Sequence, residues 1–395
     1  MLLLTFGLVL ALLAMGYGAL FSMLDDIRDE YGIGESALGA VIGIGFLAGF
    51  VSQIVIAPFA DRGYARLLVY GGVALNVVGL LLLAAATEFL PLLFGRFVMG
   101  IGIGMAVPAI KRIVIVAEPD RIGHNVGRLL AADVAGFAFG PALSALLVDP
   151  FGIPAPFLVI AAATLVAMPF VVRNARVTES PEPPQQRLAL DLLRIRPFAG
   201  AVLLGGAVFL MIGAFDALWA VVLDDLETNE WIANLGITLF AVPLVVLGAA
   251  GGRLSQRVGP FRVATVGLLL GAMFMMLYGL VPTGGMMFAV AMVHAVSDGF
   301  TISSTGVAVG MVVPGARQAG AQGVLGGFQT LVAGAAAVLS GVLYEHAGRT
   351  TAYAVNAALM VVLVVAGALL ARSAWDLRGA PVETAAPVVV DPVLP

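Results

Sequence analysis

The sequence predicts an all-α membrane protein of twelve transmembrane helices, arranged as two pseudo-symmetric six-helix bundles. Three observations predict it. The chain is 61% hydrophobic and 11% charged, with a mean hydropathy of +1.06. That apolar surface is more than a water-soluble fold hides, so the solvent must be a bilayer. The surplus comes in continuous runs of about 20 residues, the length of a helix across hydrocarbon, and not in the short alternating segments of a barrel. A polar central segment divides the runs six and six, and a basic loop recurs in each half.

Taken in order, the runs are 2–24, 37–57, 66–87, 90–112, 127–148 and 155–173, then 198–222, 232–252, 262–282, 286–312, 321–344 and 352–372. The first lacks the basic leader of a signal peptide and continues apolar past the length of a signal core, so it reads as the first membrane helix. The domain expectation is an N-terminal bundle over 1–172, a cytoplasmic linker over 173–197, a C-terminal bundle over 198–372 and a disordered cytoplasmic tail over 373–395. The Pro/Glu/Ser-rich start of the linker predicts a flexible tether. Its second part, 186–196, sets Leu188, Leu192, Leu193 and Ile195 among arginines, which predicts a short amphipathic helix on the headgroups.

Nearly all of the 20 basic residues fall in alternate loops, starting with the loop after the second run. Only Arg28 and Arg349 lie on the opposite side, where the loops are acidic, and Arg96 lies within a run. The excess of cations predicts that side, and both termini with it, to be cytoplasmic. Lys111 is the only lysine. Arginine for lysine is associated with GC-rich bacterial genomes, so a bacterial inner membrane is expected. The chain has no cysteine, which excludes disulfides and thiol chemistry. It has no Walker loop, nucleophile elbow or metal-ligand cluster. An enzyme is not expected, nor a cofactor beyond the proton motive force, nor a nucleic-acid partner. Nothing in the sequence demands more than a monomer.

Charge inside hydrocarbon costs a few kcal/mol, roughly, and so marks function or a partner. The ionisable residues within the hydrocarbon span, away from the ends of the runs, are Arg96, Asp133, Asp216, His294 and Asp298. His294 and Asp298 share a helix face at i and i+4. Burial and a neighbouring charge can bring such groups into the working range for protons. Asp133 lies within reach of Lys111 or Arg112 and reads as an ion pair or state-dependent latch. Gly136 and Gly140 share a face and permit close helix packing, and Pro141 should kink its helix.

The loop after the second run reads Ala57-Pro-Phe-Ala-Asp61-Arg62-Gly-Tyr-Ala-Arg66. The loop half a chain later reads Gly252-Arg-Leu-Ser-Gln256-Arg257-Val-Gly259-Pro-Phe-Arg262. Such internal repeats are expected of transporters. Twelve helices, a central linker and this loop together resemble the major facilitator superfamily, over the chain to about residue 372. That family's loop is Gly-x-x-x-Asp-Arg-x-Gly-Arg-Arg; Asp61, Arg62 and Arg66 match it. Arg96, Gly100 and Gly102 resemble the proton-linked pattern Arg-x-x-Gln-Gly-x-Gly, with Met99 in the place of glutamine. Gly136, Gly140 and Pro141 resemble the antiporter pattern Gly-x-x-x-Gly-Pro-x-x-Gly-Gly, with Ser144 and Ala145 replacing the last pair.

The resemblance implies a proton-coupled exporter of small amphiphilic or cationic compounds, working by rocking of the two halves. It implies a latch at Asp61, Arg62 and Arg66, joined by Asp133, Gly136, Gly140 and Pro141. It also implies that Arg96, Asp216, His294 and Asp298 form one proton and substrate cavity. The expected partners are the small-molecule substrate, protons and the bilayer. The rival readings are a proton symporter importing a metabolite, a lipid translocator and a non-transporting receptor.

Overall fold

The computed structural model describes residues 2–174 and 184–379. The Pro/Glu/Ser-rich stretch of the linker and the expected tail beyond 379 lie outside the described residues. The long helices are α1 (Leu2–Ser22), α3 (Glu35–Val55), α4 (Ala65–Ala85), α5 (Phe89–Ala117), α6 (Ile122–Phe151) and α7 (Pro154–Asn174) in the first half. The second half holds α8 (Arg196–Asp225), α9 (Glu230–Val258), α10 (Pro260–Leu280), α11 (Gly284–Thr301), α12 (Ser304–Val312) and α13 (Gln318–Leu370). A short α2 (Leu24–Tyr31) follows α1.

Twelve spans result when the two arms of α13 are counted separately. Those arms meet at Gly348, whose φ of +78° is the left-handed region that glycine adopts without a Cβ penalty. The predicted run 286–312 is divided into α11 and α12. At the break the Thr301 hydroxyl donates to the Ser297 carbonyl at 2.9 Å, and the Ser304 hydroxyl donates to the Thr301 carbonyl. Hydroxyls that bond nearby carbonyls compete with the helical ladder and bend it. Pro141, by contrast, does not break α6, which runs on to Phe151.

Helix α2 is built from the acidic loop. Asp25 pairs with Arg28 at 2.9 Å, Ile27 is fully buried beneath, and Gly32 ends the helix at φ +66°. The predicted amphipathic helix over 186–196 is a correction: only a 3-10 turn, Leu190–Arg194, forms there. Tertiary bonds claim the segment instead. Arg317 donates to both Asp191 oxygens, at 2.6 and 2.8 Å, and to the Leu188 carbonyl, while Arg62 donates to the carbonyls of Pro184 and Gln185. Of the four predicted apolar contacts, Leu192 is buried; Leu188, Leu193 and Ile195 are exposed.

The Arg317 hydrogen bonds hold the Asp191 carboxyl below the usual range. A depressed pKa stabilises above the ordinary carboxylate value and is lost only as pH falls through the depressed one, so this clasp is constant through neutral pH. Asp191→Asn should speed tryptic cleavage at Arg187 and Arg194 severalfold while the helices stay folded; an unchanged rate would show that the clasp does not restrain the linker.

Helix pairing repeats between the halves. Helix α1 packs on α6 as α8 packs on the first arm of α13, and α3 on α5 as α9 on α11. Across the halves, α6 meets α9 and the first arm of α13 meets α3. Each half has its own core, around Phe6, Leu10, Val69 and Ile110 in the first, and around Phe198, Trp219, Phe261 and Tyr353 in the second. The arginine-rich loops gather at one end of the assembly and the acidic ones at the other.

Candidate functional site

The two halves touch at the arginine-rich end. There Asp61, 2% exposed, accepts from Arg112 Nε at 2.9 Å within its own half. It also accepts from the backbone N–H groups of Ala319 and Gly320, at 2.9 and 2.7 Å. Those amides open α13 of the other half, so the carboxylate sits on the positive end of a helix dipole as well as on an arginine. The second half answers in kind. Gln256, at the position that repeats Asp61, accepts from the Gly123 N–H at 2.8 Å, at the opening of α6, and donates to the Asp120 carbonyl. The neutral amide needs no counter-ion and supplies a donor that a carboxylate lacks.

Between these two bonds, α6 and α9 cross on glycine. A Cβ on Gly123 would stand 2.1 Å from the Gly252 carbonyl oxygen, one on Gly127 2.1 Å from that of Gly248, and one on Gly252 1.8 Å from that of Gly123. Two small-x-x-x-small faces are therefore in backbone contact, as in close membrane crossings. Sequence reasoning missed this crossing, although both four-residue spacings stand in the chain. The glycines it chose, Gly136 and Gly140, pack α6 on α1 inside the first half: their Cβ positions meet the carbonyl oxygens of Ala11 and Met15. Their expected part in a latch is not a contact between the halves. Arg62 is committed to the linker, and Arg66 is exposed. Arg112 belongs to Asp61, leaving Lys111 as the electrostatic neighbour of half-buried Asp133.

Arg96 is 1% exposed. Its guanidinium carbon lies 4.2 Å from the Tyr17 ring centroid and 6.0 Å from that of Phe46, a cation–π seat. Gly45 makes room for it, since a Cβ there would stand 2.3 Å from Nε. Its Nε and Nη1 make no hydrogen bond. Tyr17 belongs to an aromatic cluster with Phe21, Phe46 and Phe137, with centroid separations of 4.9 to 6.4 Å. Asp216 of α8, in the other half, is exposed and lies within electrostatic reach of Tyr17.

The other two predicted residues are elsewhere. His294 and Asp298 are each 1% exposed and lie inside the second bundle. His294 Nδ1 is 2.8 Å from the Tyr278 hydroxyl, and Nε2 is 3.4 Å from Asp298 Oδ2. The ring stacks on Phe274 at 4.8 Å and sits near Met211 and Met360 on the side of Gly271. Neither Asp298 oxygen makes a hydrogen bond. The single predicted cavity is thus two places: Arg96 is seated under Tyr17 in the first half with Asp216 of the second half within electrostatic reach of that ring, and the Tyr278–His294–Asp298 cluster is sealed inside the second bundle.

Two pseudo-symmetric bundles of membrane-length helices that carry charges within their spans have the architecture of a membrane transporter. The chain belongs to the Major Facilitator Superfamily, whose family model matches residues 6–228 and 201–390. Among curated relatives, the multidrug resistance protein MdtG of Serratia proteamaculans is 24% identical over 307 residues, 71% of this chain and 73% of that protein. The uncharacterized MFS-type transporter YuxJ of Bacillus subtilis is 24% identical over 247 residues, 60% of this chain; the match spans 62% of that relative's length. Among solved structures, the proton:xylose symporter XylE superposes with a TM-score of 0.74 at 13% identity, over 96% of this chain and 98% of that one.

Proposed function

We propose that the chain exports small amphiphilic cations in exchange for protons, by rocking of the two halves about the central cleft. The observation that carries this reading is the exposed carboxylate of Asp216 facing the aromatic cluster around Tyr17. An aromatic or lipophilic cation would lay its apolar body on Tyr17, Phe21 and Phe137 and its charge on Asp216. Arg96 behind the rings would disfavour a cation seated too deep in the first half. Protonation of Asp216 from the acidic end would remove the counter-charge and release the substrate there. The arginine-rich end faces the cytoplasm in this reading, and the closed contacts at that end correspond to the state that discharges outward.

The His294–Asp298 pair would act as a second proton site, linked to the state of the second bundle through α11 rather than through substrate contact. MdtG, a multidrug resistance protein by name, supports a drug-like substrate; a proton:xylose symporter shares the fold, so the fold alone is no argument for direction. Inside-out vesicles carrying a proton gradient and a pH-sensitive dye test the reading. Lipophilic cations should dissipate the gradient through the wild-type chain and not through Asp298→Asn. Loss of the gradient that is equal with the variant would remove the pair from the coupling, and substrate accumulation in intact cells would reverse the direction.

A further inference from the structure

At the arginine-rich end a cavity of about 610 Å³ lies directly under the α6–α9 crossing. It is lined by Asp120, Arg121 and His124 from the first half, by Arg253, Gln256 and Arg257 from the second, and by Gly379. Among the described residues, no carboxylate lies within ion-pair distance of Arg121, Arg253 or Arg257; Asp120 is the one acid in the lining. Three other arginines at this end are committed to carboxylates: Arg112 to Asp61, Arg262 to Asp376, Arg317 to Asp191. Arg253 Nη1 stands 2.8 Å from His124 Nδ1, and because an arginine only donates, the imidazole accepts. That bond aligns the two side chains across the seam between the halves. Gly379 exchanges hydrogen bonds with Gln256 and closes one wall.

Three guanidinium groups, none within ion-pair distance of a carboxylate among the described residues, line one cavity of headgroup size, drawn from both halves. We propose that this cavity binds a phosphoryl anion, either the headgroup of an acidic phospholipid or a soluble phosphate. Guanidinium forks match phosphate oxygens in charge and in geometry, and basic pockets between helices at the cytoplasmic face are suited to acidic headgroups. Because the ligating arginines come from both halves, the anion bridges them and holds this end closed. Opening that end moves the start of α6 away from the end of α9 and dismantles the site.

The test compares the full-length wild-type chain, Arg253→Gln/Arg257→Gln, and Arg187→Gln/Arg194→Gln, which removes equal charge at the same end but outside the cavity. Native mass spectrometry reads retention of phosphatidylglycerol against phosphatidylcholine, and calorimetry reads binding of inorganic phosphate. Wild type and the outer pair should retain phosphatidylglycerol or bind phosphate about fivefold or more tightly per arginine than the cavity pair. Retention of lipid without phosphate binding identifies the headgroup; phosphate binding without lipid preference identifies a soluble anion. Equal binding by the cavity pair and the outer pair would overturn the site, and so would binding of neither ligand by wild type. The bridging role has its own readout. The chain has no native cysteine, and Val126 is buried against Val307 and Met311 across the seam. Maleimide labelling of Val126→Cys should slow when the anion binds wild-type cavity residues and not when Arg253 and Arg257 are glutamine; identical slowing in both would overturn the bridge.

Discussion

Asp216→Asn is expected to abolish concentrative export of monovalent cations while leaving the chain folded and in the membrane. The side chain is exposed, so its loss opens no cavity and strands no buried partner; destabilisation should be small. The loss in transport should be large. A charge pair at contact distance gains about 1 kcal/mol in water and about 4 kcal/mol at the effective dielectric of a protein surface. A half-enclosed cleft lies between these limits, so cation binding should weaken by roughly fivefold to several hundredfold. Coupling should fail together with binding, because the asparagine can neither pair with the cation nor take the proton. Asp216→Glu should restore part of both. A neutral amphiphile of the same size, held by the rings alone, should lose little binding to Asp216→Asn. Direct binding to purified protein, with a cationic compound and its neutral isostere, checks this. Equal loss for both compounds, or no loss for either, would take Asp216 out of the substrate site.

Much of the topology was legible because hydrocarbon leaves the chain so little choice. A spanning segment must be long, apolar and helical, and the cations must stay on one side. Asp61 was legible for the opposite reason: an acid among arginines in a short loop needs an explanation, and the structure supplies one in Arg112 and the amides of Ala319 and Gly320. The faces of the helices were not legible. Helices apolar on every side give no stripe to say which way a polar residue points. Arg96, Asp216, His294 and Asp298 all lie in such helices, and only packing seats Arg96 under Tyr17, leaves Asp216 exposed and sends the other two into the second bundle. Aromatic side chains were hidden by their abundance; Tyr17 and Tyr278 gain meaning only from Arg96 and His294 beside them. The pairing of Gly123 and Gly127 with Gly248 and Gly252 needs the partner helix as well as the spacing.

The same crossing yields the second large effect. In Gly252→Leu, a Cβ would begin 1.8 Å from the Gly123 carbonyl oxygen, a backbone atom with no rotamer to yield. The helices must separate, and the neighbouring bonds go with them: Gln256 to the Gly123 amide, and Arg253 to His124. Both halves keep their own cores, because α6 rests on α1 and α9 on α11 through other residues. The cost therefore falls on the conformation closed at the arginine-rich end, and not on folding. Overpacking costs about 1–3 kcal/mol, which shifts a two-state equilibrium roughly fivefold to 150-fold. Gly252→Leu should thus populate the state open at that end, seen as faster labelling of Val126→Cys, while thermal unfolding changes little. Gly136→Leu makes a contrasting control, since its Cβ meets Ala11 within the first half. It should lower thermal stability without favouring either state. A crossing that governs alternation predicts this separation of the two variants; equal labelling rates in both, or loss of fold in both, would assign the α6–α9 glycines to packing alone.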